Sequence, residues 1–314
     1  MTLPKIIEVK QENPDNVHIT WIVNNICPNS CSYCPAQLHN GSNHNYDWNN
    51  ARRFVELLLK KYKTIHFSIG GGEPSMSPFF PELVRMIYDN GHTISITSNA
   101  YKSQDYWRDI GQYINSISFS YHPEFSTEQY FKNVEAAAEV SRVTARVMML
   151  SKQWDKCIAA YERLSSNKLY ITEMVRIYDW GTNSGTEIYT DEQLQRFNSN
   201  TRSPGFNPNV PNKEISQTGA TYLFDDGSIG HNGLNVQYVN RGQTNFMGYE
   251  CDIGLRSLFI SSLGEVKRGN CMAGGIIGHI NEPEHIQWPN EPIICPYNIC
   301  GCVSDVSVSK RLKA

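Results

Sequence analysis

Val17-His18-Ile19-Thr20-Trp21-Ile22-Val23 alternates apolar with smaller or polar side chains, and shortly after it comes Cys27-Pro28-Asn29-Ser30-Cys31-Ser32-Tyr33-Cys34. The alternation has the period of a strand. A strand that runs into CxxxCxxC puts three thiols in one short loop, and thiols grouped so closely converge on metal. A tetrahedral zinc site asks for a fourth ligand nearby, whereas three thiolates suit a four-iron cluster that keeps one iron open. A zinc knuckle, or a set of exposed thiols, is the bland alternative.

The same texture repeats outward from this stretch. Short β-branched runs at Val17–Val23, Thr64–Ile69, Thr93–Thr97, Ser116–Tyr121, Val143–Leu150 and Tyr170–Ile177 alternate with amphipathic stretches. Those stretches are Trp48–Tyr62, Pro78–Asp89, Gln104–Tyr113, Thr127–Val140 and Trp154–Leu164. Asp47 before the first helix, and Ser126 with Gln129 before the fourth, are capping signals. Strand-helix repetition of this kind builds a parallel sheet. Six units are too few to close an eight-fold barrel and enough for an open one. The predicted fold class is α/β, a partial (β/α)6 TIM-type barrel over residues 1–181 with a small β-rich C-terminal domain over 220–314. Residues 182–219, rich in Asn, Ser, Thr, Pro and Gly, read as a connector with one short helix at Asp191–Phe197. Asp226-Gly227 is a hairpin signal within the C-terminal domain.

In a barrel of this type the reactive groups sit just after the strands. Gly70-Gly71-Gly72-Glu73-Pro74 follows the second strand, where glycines let the backbone approach an amino-acid ligand and proline fixes the exit. CxxxCxxC after the first strand, Tyr33 just before its last cysteine, and GGEP after the second strand together resemble the radical S-adenosylmethionine (radical SAM) superfamily. The resemblance implies that Cys27, Cys31 and Cys34 hold a 4Fe-4S cluster whose open iron takes S-adenosylmethionine. It implies that Gly70, Gly71, Gly72, Glu73 and Pro74 hold the amino group of that cofactor. Ser98 and Asn99, after the third strand, fall near its carboxylate, and Ser120 and His122, ending the fourth, near its ribose. Arg146, and Arg176, Tyr178 and Asp179 beyond it, could face inward toward cofactor or substrate; for Arg146 a structural salt bridge is equally open. The implied chemistry is reductive. An electron donor such as a flavodoxin or ferredoxin reduces the cluster, S-adenosylmethionine is cleaved, and a 5'-deoxyadenosyl radical takes hydrogen from substrate. No catalytic residue beyond the cluster ligands is named by this pattern.

Five of the nine cysteines lie near the C-terminus, at Cys251, Cys271, Cys295, Cys300 and Cys302. A cysteine, a hairpin turning at Gly264 and a second cysteine are similar to the twitch and SPASM modules that carry auxiliary clusters in the same superfamily. The gap from Gly264 to Cys271 is longer than usual, and the terminal cysteines do not reproduce the full SPASM series. Five thiols ligate one auxiliary 4Fe-4S cluster with one to spare. Cys251 and Cys271 are the firmest ligands, the others coming from Cys295, Cys300 and Cys302, and zinc is the competing occupant. Cys157 stands alone in a helix and reads as packing.

The charge of -3, from 28 basic and 31 acidic residues, gives no bulk signature for coating nucleic acid. With 40% hydrophobic residues the chain has ample core material. Met1 to Lys10 holds no apolar signal run, and no window nears the roughly 18 apolar residues of a membrane span. We therefore expect a soluble, cytoplasmic protein with reduced thiols and no membrane partner. Too few cysteines for two auxiliary clusters, and no module resembling a peptide-recognition domain, favour a small polar or nucleoside-type substrate. Peptide modification and modification of a nucleic-acid base by the same chemistry are the alternatives. A non-catalytic zinc or electron-transfer protein is the alternative of a different class, and GGEP argues against it.

Overall fold

The computed structural model describes residues 3–13, 15–41, 46–177, 187–199, 202–210, 219–231, 238–239 and 241–312. Strands β1 (Ile6–Gln11) and β2 (Asn16–Ile22) are followed by α1 (Trp48–Lys61), β3 (Thr64–Gly70), α2 (Phe80–Asp89), β4 (Thr93–Ser98) and α3 (Gln104–Gly111). Next come β5 (Ser116–Tyr121), α4 (Glu128–Ala138), β6 (Arg142–Met148), α5 (Trp154–Ser166), β7 (Ile171–Val175), α6 (Asp191–Ser199) and β8 (Arg202–Ser203). The remainder is mostly short strands: β9 (Ala220–Phe224), β10 (Ile229–His231), β11 (Tyr249–Cys251), β12 (Ser257–Ile260), β13 (Glu265–Lys267), β14 (Ile276–His279), β15 (Ile293–Ile294), the helical turn α7 (Val303–Val306), and β16 (Lys310–Leu312). The fold is mixed α/β with a large parallel sheet, consistent with the partial barrel expected. Among the described residues no helix is long and apolar enough to cross a membrane.

The chain divides into two compact units that do not follow chain order. One comprises Ile22–His44 and Ile69–Ile215. In it β4, β5, β6 and β7 are parallel neighbours, with β8 antiparallel on β7. Ile96 pairs with Ile117, and Phe119 with Ala145, so one sheet face is continuous and apolar. Helices cover that face. Trp107 of α3 meets Phe119 edge to face at 4.8 Å, and Tyr130 of α4 donates its hydroxyl to the Phe119 carbonyl at 3.0 Å. The alternate residues, Ser95, Thr97, Ser116, Ser118, Arg142, Thr144 and Arg146, form a polar, partly exposed face, the consequence of a strict period of two.

The other unit comprises Met1–Trp21, Asn45–Ser68 and Ser216–Ala314. Its antiparallel sheet has the order β10-β9-β1-β16-β11-β15, with Ile6, Val9, Tyr222, Phe224, Tyr238, Phe246 and Tyr249 in the core beneath. A second set of neighbours runs β14-β13-β12-β2-β3, and β12 lies parallel to β2 with Leu258 opposite Ile19. Asp47 caps α1 as expected, accepting from the Asn50 amide at 3.0 Å. Ser126 does not cap α4: the cap position is Thr127, and the Ser126 hydroxyl instead accepts from the His122 amide at 2.9 Å, closing the turn after β5. The hairpin at Asp226-Gly227 is present, with Gly227 at φ +82°. Gly264 turns between β12 and β13 at φ +89°.

Candidate active site

The cysteine loop leaves β2 and is laced to the glycine segment after β3. Val23 donates to the Gly70 carbonyl at 3.0 Å, Gly72 to Asn24 at 2.9 Å and Glu73 to Ile26 at 2.7 Å. Asn24 reinforces the seam through both ends of its side chain, donating to the Glu73 carbonyl at 3.0 Å and accepting from the Ile26 amide at 3.0 Å. A Cβ on Gly71 (φ +145°) would stand 2.3 Å from the Asn24 oxygen, and one on Gly72 2.4 Å from the Ile26 oxygen. Two of the glycines are thus required by the cysteine loop itself.

Glu73 is fully buried and surrounded by donors. Its carboxylate accepts from the Ser75 amide at 3.1 Å and hydroxyl at 2.6 Å, from the Ser98 hydroxyl at 2.9 and 3.0 Å, and from the Asn99 amide at 2.7 Å. Burial pushes its pKa up and these hydrogen bonds oppose the rise. The side chain therefore ties the end of β3 to the end of β4, and Ser98 is engaged with it.

Asn99 reaches the cysteines. Its Nδ2 lies 3.5 Å from the Cys27 thiol, while its Oδ1 is buried without a partner among the described residues. An orphaned buried acceptor is costly unless a ligand donor meets it. Burial raises the Cys27 and Cys34 thiols, and pushes Cys31 up to about 12 against the opposing hydrogen bond from Tyr33. At Cys27 the hydrogen bonds from the Asn29 backbone and the Asn99 side chain oppose the rise.

Tyr33 hydrogen-bonds through its hydroxyl to Nδ1 of His122 at 2.6 Å, the rings stacked at 6.0 Å. Glu124 accepts from the Ser32 amide at 2.9 Å, so the turn after β5 clamps the cysteine loop twice. Burial holds the His122 pKa down at about 4, with the Glu124 charge acting the other way, so the ring is neutral near pH 7. Ser120 is buried at the end of β5, beside Arg146 in the strand register. Arg146 pairs with Glu173 at 3.2 Å, and Glu173 with Arg202 at 3.2 Å, an ion-pair ladder across β6, β7 and β8. Tyr178 and Asp179 lie outside the described residues.

In the other unit, Cys251, Cys271, Cys295 and Cys300 line one cavity together with Asp305, Lys310 and apolar side chains. β11 supplies Cys251, and the turn after β13 supplies Cys271, whose amide donates to Asp305 Oδ2 at 2.7 Å. Cys295 is fixed by main-chain bonds to Tyr249 at 2.8 Å and Gly248 at 2.9 Å, and Cys300 by one to Thr244 at 2.9 Å. Burial pushes the Cys271 and Cys300 thiols up to about 12 and also raises Cys251; the Lys310 charge opposes this at Cys251 and Cys300. Cys302 does not line the cavity; its sulfur sits 3.1 Å from Asn270 Nδ2 and 3.0 Å from the Ser304 hydroxyl. Among the described residues no three His, Cys, Asp or Glu side chains are gathered as a single metal ion would need. Cys157 is buried in α5 with its sulfur 3.5 Å from the Met148 carbonyl, as a packing residue should be.

Asn24, Glu124, Asp305 and Lys310 carry these arrangements and do not stand out in the sequence. Only the position of Asn24, between a strand and CxxxCxxC, could have drawn attention to it.

The sequence profile of the Radical SAM superfamily matches residues 21–164. No curated protein matches the sequence. SuiB of Streptococcus suis, solved with S-adenosylmethionine bound, is similar at a TM-score of 0.51 and 14% identity over 82% of this chain and 61% of SuiB. A second SuiB structure gives 0.52 and 13% over 86% and 64%. anSMEcpe with bound AdoMet and Cp18Cys peptide gives 0.51 and 12% over 85% of this chain and 78% of that one. The chain thus spans about three fifths of SuiB, and at such identities the likeness is one of fold. Residues 21–164, a little under half of the chain, match the Radical SAM superfamily domain.

Proposed function

We propose that the chain is a radical SAM enzyme in which Cys27, Cys31 and Cys34 ligate a 4Fe-4S cluster, and that Asn99, the backbone of Gly70 to Pro74, Ser120 and His122 surround the S-adenosylmethionine on it. One observation carries the assignment: the main-chain seam between 23–26 and 70–73 holds the three thiols against the glycine segment, with the unpartnered Asn99 Oδ1 beside Cys27. That acceptor suits the ammonium of a methionine moiety. Glu73 shapes the pocket by holding Ser98 and Asn99 in place. Tyr33, clamped by His122, presents its ring at the loop. When bound, the cofactors supply an electron and a 5'-deoxyadenosyl radical that removes hydrogen from substrate; the chain's task is to orient both partners and exclude water. Arg146 we assign to its ion-pair ladder, where Glu173 already engages it.

The second cysteine cavity we read as a twitch-like auxiliary 4Fe-4S site with Cys251, Cys271, Cys295 and Cys300 as ligands and Cys302 as the spare thiol. Four thiols leave no iron open, which favours electron transfer over substrate binding at the metal.

For the substrate we favour a peptide over the small polar or nucleoside-type molecule expected from the sequence. Structures of like fold include SuiB bound to the precursor peptide SuiA and anSMEcpe bound to a peptide, whereas nothing supports the small molecule.

Anaerobic reconstitution tests the enzyme reading: about eight irons per chain, as two four-iron clusters require, and release of 5'-deoxyadenosine on reduction. Zinc in place of iron, with no cleavage of S-adenosylmethionine, would overturn it. Incubation with mixed peptides and with nucleosides, read by mass shift, tests the substrate class. A shifted nucleoside with unchanged peptides overturns the peptide.

A further inference from the structure

Lys310 opens β16, and its register partner across the antiparallel pair with β11 is Cys251, so the two side chains share a face of the sheet. The side chain is 2% exposed and lines the cysteine cavity. Its Nζ donates to three main-chain carbonyls, of Asp305 at 2.5 Å, Val306 at 3.3 Å and Val308 at 2.8 Å. Three acceptors call for three protons, and only the ammonium form carries three. Phe246 lies against it, with its ring centre 5.1 Å from Nζ.

The carboxylic acid that shares the cavity does not neutralise this charge directly. Asp305 turns its Oδ2 to the Cys271 amide at 2.7 Å and offers Lys310 its main-chain oxygen instead. A buried ammonium whose hydrogen bonds all go to carbonyl dipoles is expensive to desolvate, and the expense is offset when an anion comes to rest beside it. Four cysteine thiolates on a 4Fe-4S core are such an anion: the site carries two negative charges when oxidised and a third when it takes one electron.

We propose that Lys310 is the built-in countercharge of the auxiliary cluster and raises its reduction potential, making that cluster a ready electron acceptor. The inference rests on the auxiliary-cluster reading above. A fixed positive charge favours the more negative redox state, so the reduced form gains more from Lys310 than the oxidised form does. Lys310 touches no reacting atom; it acts through charge.

The test uses full-length protein carrying Cys27→Ala, Cys31→Ala and Cys34→Ala, reconstituted anaerobically so that the auxiliary cluster alone gives the spectrum. Potentiometric titration followed by electron paramagnetic resonance compares Lys310, Lys310→Arg and Lys310→Gln. Gln keeps hydrogen-bond donors without the charge. It should lower the reduced-to-oxidised ratio at a fixed potential about tenfold, equivalent to about 59 mV for one electron. Arg should stay near the parent. A Gln variant with full iron and an unshifted potential overturns the inference, as does loss of the cluster in Arg and Gln alike, which would mark a packing role. Failure of the parent to hold any cluster is a separate outcome and overturns the auxiliary-cluster reading itself.

Discussion

Asn99 donates one end of its side-chain amide to the Cys27 thiol at 3.5 Å, while the other end is buried with no hydrogen-bond partner among the described residues. The Asn99 main-chain amide is meanwhile held by Glu73 at 2.7 Å, so the side chain is aimed by the glycine segment and cannot readily turn away. An acceptor fixed in this way beside Cys27, the proposed cluster ligand, is suited to a cationic donor. Asn99→Ala should therefore weaken S-adenosylmethionine binding about tenfold, the value of one buried hydrogen bond to a charged group. Equilibrium dialysis against reconstituted protein of matched iron content measures it. An unchanged dissociation constant removes Asn99 from the cofactor site.

The glycine segment permits a sharper comparison. A Cβ on Gly72 would lie 2.4 Å from the Ile26 main-chain oxygen, whereas one on Gly70 would meet only Ile22 Cδ1 at 3.9 Å, an ordinary contact. Gly72→Ala must push back the residue just before Cys27, and Gly70→Ala need move nothing. Iron content after reconstitution should fall from about eight to about four in the first variant and stay at about eight in the second. Equal iron in both would mean that the seam between 23–26 and 70–73 does not position the cysteines.

These arrangements were unevenly legible in the sequence. The strands from Asn16–Ile22 to Ile171–Val175 could be read because one apolar face imposes a period of two, seen directly in Val143, Ala145 and Val147. β1 could not. Ile6 pairs with Phe224 and Val9 with Lys310, partners more than 200 residues away whose pattern carries no local trace at residues 6–11. The cysteines and GGEP announced themselves by spacing. What they rest on did not: Glu73 as a hub for Ser75, Ser98 and Asn99, and Lys310 beside Cys251, are tertiary relationships between residue types common on any surface. Ser126 shows the reverse error. The capping pattern was real, but the hydroxyl found the His122 amide one turn earlier.

His18 and His66 lie with their ring centres 5.4 Å apart and the planes tilted by 31°, and neither ring nitrogen of His18 has a hydrogen-bond partner among the described residues. Burial holds the His18 pKa down at about 4 and that of His66 at about 3, the latter helped by the His18 charge. Both values lie below the ordinary 6.5, so under that pH the unfolded chain binds protons that the folded chain refuses. The stability is present above pH 6.5 and is lost as pH falls toward 4 and then 3. One such site costs about 2 kcal/mol by pH 5. His18→Leu removes the unpartnered nitrogens and should lose less stability than the parent between pH 7 and pH 5, while being no less stable at pH 7. Thermal unfolding at the two pH values decides, and parallel curves would assign the acid sensitivity elsewhere.

The terminal cysteines test the auxiliary site by contrast within a few residues. Cys295 and Cys300 line the cavity with Cys251 and Cys271, whereas Cys302 sits among Asn270 and Ser304. Loss of a single thiolate from a fully ligated four-iron cluster leaves one iron without its protein ligand, and such clusters degrade or convert. Cys295→Ser should accordingly bring reconstituted iron toward about four per chain, with cleavage of S-adenosylmethionine persisting at the other cluster. Cys302→Ser should hold about eight irons and an unaltered auxiliary signal. If Cys302→Ser instead loses the auxiliary iron and Cys300→Ser keeps it, the ligand set is Cys251, Cys271, Cys295 and Cys302. The 301–302 segment would then have to swing inward when the cluster binds, carrying α7 and the Lys310 carbonyl cage with it.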